Sequence, residues 1–380
     1  MCEVRFLQIH TLTTYPAALL NRDDAGLAKR LPFGGTTRAR ISSQCQKRHW
    51  RMASEDPWAL RHVGVPMGSR TKQIVGVILD RASKGGFFAE PVRDAVERVF
   101  LTQLYGKNAE DPKKRQALFF GEPEIEFLVG KAAEALGAET AEKAAEFAER
   151  FFKEQRENLR TLKNGAGLET ALFGRMVTSD PAANTDSSIH VAHAFTVHEI
   201  ERELDFMTAV DDLKSAEEGD DAGAAGMFDM ELASGLYYGY VVVDVPLLVD
   251  NLVKDQAIAG KVVEHLVHLI AQVSPGAKKG STAPYAWAEL MLVEAGARQP
   301  RTLANAFRAA VPLRGNSGPL LETSVVKMED HLSKLDGGYG AHEARRVLNL
   351  SGAKLTSATP LDLDALAKWS AEAVRTRVAE

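Results

Sequence analysis

The chain has 380 residues, 45% of them hydrophobic and 26% charged, with a formal net charge of −5. A single hydrophobic core seldom grows past roughly 250 to 300 residues, so two or more domains are expected. No run approaches the ~18 uncharged apolar residues of a membrane-spanning helix, and Cys2 and Cys45 are too few for a disulfide framework and lack the paired spacing of a zinc site.

The N-terminal residues, with Glu3 and Arg5 in a strand-like pattern, lack the charged-then-apolar layout of a signal peptide, and a soluble, cytoplasmic protein is expected. Val4 to Thr13 is rich in β-branched and apolar residues and ends at the Tyr15-Pro16 break, so it predicts an opening, central strand. Residues 21–37 carry turn chemistry at Gly26, Pro32, Gly34 and Gly35 and lead into a helix that starts near Ser42-Ser43. From about Pro57 to Lys163 the pattern is helical, clearest in Thr140 to Lys163, where Phe147, Phe151, Leu159 and Leu162 recur at near-helical spacing. Ser187 to Val197 returns to alternation, and Leu236 to Leu248 reads as a Tyr- and Val-rich strand. A sheet domain interrupted by a helical insertion follows from that order. Glu199 to Gly226, ending in a stretch with six acidic residues and one lysine from Asp211 to Asp221, reads as a projecting arm. Ala257 to Val273 is an amphipathic helix stopped by Pro275-Gly276.

The average charge conceals a concentration. Between Arg22 and Arg51 stand eight basic residues against Asp23 and Asp24, a local charge of +6 that leaves −11 for the rest. From Leu31 to Ser54 there are five Lys or Arg and no acid. A basic stripe on an acidic body predicts one polyanion-binding surface. Ser42 or Ser43 at the N-cap leaves helix-start amides that attract anions, a gain of about 0.3–1 kcal/mol. Gln44, Lys47 and Arg51 fall on one helix face, with Arg48 beside them, and Arg38 and Arg40, two apart on the extended approach, are expected to point toward the same ligand. The competing reading is a solvated basic face. Lys278 and Lys279, between glycines after a helix, are a second candidate phosphate contact; the stretch is not a Walker loop, because Gly280 is followed by Ser281. Taken alone it reads as an exposed turn.

Phe206 and Met207, beside the acidic run, are either an inserted wedge or the core of a small hairpin, and Met176 after Gly174-Arg175 has the same two readings. His190 and His193 fall on opposite faces of a strand, and His265 and His268 lack a His-Glu-x-x-His context, so structural roles are expected and no metal site is assigned. Asp23-Asp24 and Asp211-Asp212 carry the alternative of a Mg²⁺-dependent ribonuclease.

Several motifs then resemble one family. Phe6-Leu7-Gln8-Ile9-His10-Thr11-Leu12, Leu20-Asn21-Arg22-Asp23-Asp24, Phe33-Gly34-Gly35 and Arg38-x-Arg40-Ile41-Ser42-Ser43-Gln44-x-x-Lys47-Arg48 are similar to the CasC family, the backbone subunit of the type I-E CRISPR Cascade complex. Further similarity runs through Ala171-Leu172-x-Gly174-Arg175-Met176, Ala192-His193-Ala194, Thr208-Ala209-Val210-Asp211-Asp212, Ser234-Gly235-x-Tyr237-Tyr238 and Pro275-Gly276-Ala277-Lys278. The resemblance implies an α+β fold: an RRM-like (ferredoxin-like) palm at 1–56 and 229–380, helical fingers inserted at 57–188, and a β-hairpin thumb with a flanking palm strand at 189–228. It implies a non-enzymatic protein without cofactor or metal. Copies polymerise along CRISPR RNA (crRNA) in a filament expected to be hexameric, presenting the guide to target DNA alongside large, small, handle-binding and crRNA-processing subunits in antiviral defence. By motif position it marks Arg22, Ser42, Gln44, Lys47, Arg51 and Lys278 as RNA-backbone contacts, and Met176, Phe206, Met207 and Thr208 as the base-displacing wedge. Relatives can carry a Trp-Phe pair where this chain has Phe206-Met207.

Overall fold

The computed structural model describes residues 4–85, 88–154, 167–175, 184–210, 224–314 and 318–375. Its strands are β1 (Phe6–Ala18), β2 (Arg30–Phe33), β3 (Thr36–Ile41), β4 (Gly68–Thr71), β5 (Leu118–Gly121), β6 (Ile189–Val191), β7 (Ala194–Thr196), β8 (Glu201–Val210), β9 (Ala224–Asp244), β10 (Leu290–Gly296), β11 (Ala344–Asn349) and β12 (Thr359–Pro360). Among the described residues the helices include α1 (Ser43–Met52), α2 (Ile74–Ala82), α3 (Glu90–Tyr105), α4 (Glu122–Leu136) and α5 (Ala141–Glu154). None of the described helices is long and apolar enough to cross a membrane. The chain forms two compact units, one of residues 1–59, 190–245 and 260–380, the other of 60–189 and 246–259.

The first unit is built on a large sheet ordered β12-β11-β10-β1-β9-β7-β3-β2. β1 lies inside it, antiparallel to β10 from Phe6↔Gly296 to Leu12↔Leu290 and to β9 from Phe6↔Asp244 onward. Its residues from Phe6 to Thr13 are buried on both faces, so the polar Gln8 and His10 that alternate with Leu7 and Ile9 are interior as well. The strand does not end at Tyr15-Pro16. It continues to Ala18 through a register shift between Tyr15 and Ala18, with Ala17 at φ 38°, and a bulge is where a residue that cannot donate to the ladder is tolerated. β9 ends at Asp244, short of the expected Leu248, because Val245–Asn251 is helical.

The two faces of β1 do different things. Leu12 joins Tyr238, Leu290, Leu292 and Phe307 against Val325, Met328 and Leu332 of the helix Leu320–Tyr339. On the same side Glu294, fully buried, is held by Arg301 at 2.6 Å, Arg345 at 2.6 Å and His10 Nε2 at 3.1 Å, while His10 Nδ1 lies 2.8 Å from the Tyr238 hydroxyl. Burial alone would raise the Glu294 carboxyl, but the hydrogen bonds from Arg301 and His10 outweigh it and hold the group well below the usual carboxylate range. On the other face Ile9, Thr11, Thr13 and Tyr15 line a small cleft with Gln46 and Trp50 of α1 and Ile270 and Val273. This packing fixes α1 on the sheet.

β8 and β9 form an antiparallel hairpin, registered from Glu201↔Ser234 to Val210↔Ala224. Asp211, Asp212 and the acidic run to Asp221 lie outside the described residues.

The second unit is helical. Ile74, Ile78, Val96, Phe100, Leu128, Phe151 and Phe152 form its core, with Phe100 and Phe152 edge to face at 4.9 Å. Leu159 and Leu162 fall outside the described residues. Residues 246–259, which the sequence assigns to the palm, belong to this unit: Asn251 Nδ2 donates to Ala171 O and Asp186 O, each at 3.0 Å.

Candidate nucleic-acid interface

α1 presents one face because its other face is tied down. Ser42 (φ −68°, ψ 150°) is the N-cap, its hydroxyl oxygen accepting from Cys45 N–H at 3.2 Å. Gln46 Nε2 donates to Ala192 O at 2.9 Å, and Trp50 is buried. His49 Nδ1 donates to Cys45 O at 2.8 Å and its Nε2 accepts from Gly276 N–H at 3.3 Å, a pair that fixes one neutral tautomer. Burial lowers the His49 pKa, the Cys45 carbonyl opposes that, and Lys279 and Arg48 lower it further. On the outward side Gln44 and Arg48 are exposed, and Lys47 and Arg51 half-buried. Partial burial pulls the Lys47 pKa below its ordinary value.

The helix start itself has less to offer an anion than its sequence promises. Cys45 N–H is held by Ser42, and Ser43 N–H lies 3.3 Å from His193 Nδ1. Ser42 is buried, and its oxygen serves as the cap, so its place is in positioning the helix. Ser43 Oγ donates to Gln44 Oε1 at 3.2 Å. With those two amides occupied, the positive charge that α1 offers is that of the Lys47, Arg48 and Arg51 side chains.

Arg38 and Arg40 part company. The Arg38 guanidinium is completely buried, donating to Thr36 Oγ1 at 2.8 Å, Thr196 O at 3.0 Å and Phe307 O at 3.1 Å, with its carbon 5.8 Å from the Phe33 ring centre. Its expected role as a phosphate contact is corrected: it ties β3 to the sheet and to the 304–307 turn. Alternation gives Arg38 and Arg40 the same side of β3, and it is the packing of Thr196 and Phe307 against the first that encloses it. Arg40, half-buried, donates through Nε to Arg30 O at 3.0 Å and through Nη1 to His193 Nδ1 at 3.2 Å. Arg30 in turn pairs with the fully buried Glu231 at 2.5 Å.

Arg22 is exposed at the mouth of the 21–29 turn, which a backbone bridge closes between Arg22 and Ala28. Asp23 Oδ1 accepts from Ala25 N–H and Leu27 N–H, both at 3.0 Å, so this carboxylate shapes the turn. A cleft of about 420 Å³ beside it is lined by Asp23, Asp24, Lys29, Arg30 and Arg40 among others. Among the described residues no group of three or more His, Cys, Asp or Glu is placed to hold a metal ion. His265 Nδ1 bonds the Trp58 carbonyl at 3.0 Å, and His268 stacks on the Trp58 ring at 3.7 Å, structural contacts both.

Lys278 and Lys279 are exposed on the loop that Gly276 pins to His49. Its backbone is also tied to the start of the 21–29 turn, since Ala277 N–H donates to Leu19 O at 2.9 Å. The fold thus brings the second lysine cluster beside α1, a proximity that 227 residues of separation conceal.

Of the wedge residues, Phe206 is 60% exposed on β8, as is Leu204 two positions before it at 66%. Met207 and Thr208 pair across the hairpin with Phe228 and Met227. Met176 lies outside the described residues; Arg175 before it is locked to Glu124 at 2.6 Å, both nearly buried, after Gly174 at φ 73°.

A family model described as CT1975-like protein (Cas_CT1975) matches residues 7–372. The chain belongs to this CT1975-like family. No curated protein matches it in sequence. The CT1975-like fold recurs in solved structures. A chain of a "CRISPR RNA-guided surveillance complex, pre-nicking" is similar at a TM-score of 0.78 and 24% identity, over 96% of this chain and 100% of that one. A chain of a "CRISPR RNA-guided surveillance complex" is similar at a TM-score of 0.65 and 22% identity, over 95% and 99%. What this CT1975-like chain shares with those structures at such identities is the mixed α and β fold.

Proposed function

We propose that this chain is a crRNA-binding backbone subunit of a type I-E Cascade, a sequence-independent scaffold rather than an enzyme. One observation supports it most: a row of Gln44, Lys47, Arg48 and Arg51, the first and third exposed and the others half-buried, on a helix clamped to the sheet, with Lys278 and Lys279 tied alongside through Gly276 and His49. Backbone contacts of this kind position a nucleic acid without reading it, leaving sequence to base pairing between guide and target DNA.

In this reading the large sheet is an RRM-like palm, the helical unit the fingers, and the β8–β9 hairpin the thumb, with Phe206 displacing a base at regular intervals as copies stack in the cytoplasm with the other Cascade subunits. The solved chains of similar fold belong to CRISPR RNA-guided surveillance complexes.

Filter binding of single-stranded RNA across a salt series tests this. With roughly five cations meeting phosphates per copy, log affinity should fall against log salt with a slope near −3.5, taking ~0.7 per contact on a single strand. Lys47→Glu with Arg51→Glu should abolish loading onto guide RNA. A flat salt response, or loading untouched by the double reversal, overturns the proposal.

A further inference from the structure

Beyond the basic helix, the same loop carries two large rings that the fold leaves in water. Tyr285 is 73% exposed and Trp287 67% exposed. Exposure alternates along the segment, with Pro284 and Ala288 buried and Ala286 half-buried while the two rings face solvent. The residue between them is what turns them outward: Ala286 N–H donates to Ser274 Oγ at 3.0 Å, and Ser274 Oγ donates to Ala286 O at 2.7 Å. Ser274 and Pro284 are buried, so the pin is part of the core and the rings stand on a fixed base.

Charge decides what would cover these rings. Lys279 Nζ lies 6.0 Å from the centre of the Tyr285 ring, and Lys278 is exposed next to it. The loop is continuous with the α1 face through Gly276 and His49. A ring pair edged by cations fits a nucleotide, whose base stacks while its phosphate is neutralised, better than an apolar protein surface, which would strand both ammonium groups.

We infer that Tyr285 and Trp287 form a stacking platform for an unpaired RNA base, with Lys278 and Lys279 on the adjoining phosphates. This rests on the RNA-binding function proposed above and adds to it a contact to a base. Trp287 supplies the main stacking face. Tyr285, steadied by Lys279, flanks it. The stacking tolerates any base, since every base has a π-face.

The test uses the full chain with oligouridylate and with an equally long strand carrying abasic positions. Tyr285→Ala with Trp287→Ala should weaken oligouridylate binding about tenfold or more, leave the abasic strand's affinity unchanged, and leave the salt slope unchanged. Tyr285→Phe with Trp287→Phe should restore most of the loss, which a misfolded loop would not. Equal losses on both strands, or none on oligouridylate, overturn the platform while leaving RNA binding intact. Weakened self-association in sedimentation, with RNA affinity unchanged, also overturns it and gives the surface to a second copy of this chain. Failure of the unmodified chain to bind either strand overturns the functional reading and the platform together.

Discussion

His49 and Gly276 are joined by a 3.3 Å hydrogen bond from the glycine amide to Nε2, across the gap between the basic helix and the lysine loop. The acceptor is available only while the imidazole is neutral. Its pKa is lowered in the folded chain, chiefly by burial. A histidine with a depressed folded pKa adds stability above its unfolded value, near 6.5, and that stability is lost as pH falls through the lower folded value. Holding salt constant, thermal unfolding followed from pH 7.5 to 5.5 should show a falling midpoint, and His49→Ala should be less sensitive over that window. His49→Ala should itself cost about 1 kcal/mol, the usual net worth of a hydrogen bond, and weaken RNA binding by loosening Lys278 and Lys279.

Arg38→Ala and Arg48→Ala separate folding from binding. Arg38 fills the interior and satisfies Thr196 O and Phe307 O, so its removal should cost about 1–3 kcal/mol for each carbonyl left unsatisfied, read in denaturant unfolding. Arg48 is exposed, and its loss should leave stability within about 0.5 kcal/mol while lowering RNA affinity and the salt slope by roughly one contact.

Glu294→Gln should be among the most damaging changes in the first unit. The carboxylate neutralises Arg301 and Arg345 in a dry interior, and an amide leaves both cations short of their partner, a loss of about 3–5 kcal/mol. Because the Glu294 pKa is depressed, its contribution is present above about 4.5 and is lost as pH falls through the folded value. The wild-type denaturant midpoint should therefore drop below pH 4.5, and the variant should be flatter there.

Phe206→Ala should leave the melting temperature unchanged, since the ring is mostly in solvent. Its effect should appear on bound guide RNA, where chemical probing detects displaced bases as a periodic reactivity that the variant weakens. An unaltered pattern assigns the displacement elsewhere on the hairpin.

Much of the basic surface was legible because α1 obeys local rules: a serine cap, a 3.6-residue period and no proline, so the outward placement of Gln44, Lys47, Arg48 and Arg51 follows from spacing alone. Arg38 and Arg40 show where that stops. Both are arginines in alternation on β3, and only Thr196 and Phe307, over 150 residues away, decide that one is interior. Pro16 misleads for the same kind of reason, since a bulge at Tyr15–Ala18 lets β1 pass it. Tyr285 and Trp287 left a readable trace, two aromatics two apart and shortly after Lys278, but exposure is a property of the folded chain.

β9 runs 21 residues without a break, from the hairpin end at Ala224 to Asp244 in the sheet interior beside β1. The hairpin is thus an outgrowth of an interior strand, since the strand that pairs with β8 continues without interruption to Tyr237 and Tyr238 beside β1. A load on Phe206 of β8 would cross the ladder to Asp229 and pass from there along β9, which links the stiffness of the described hairpin to that of the core.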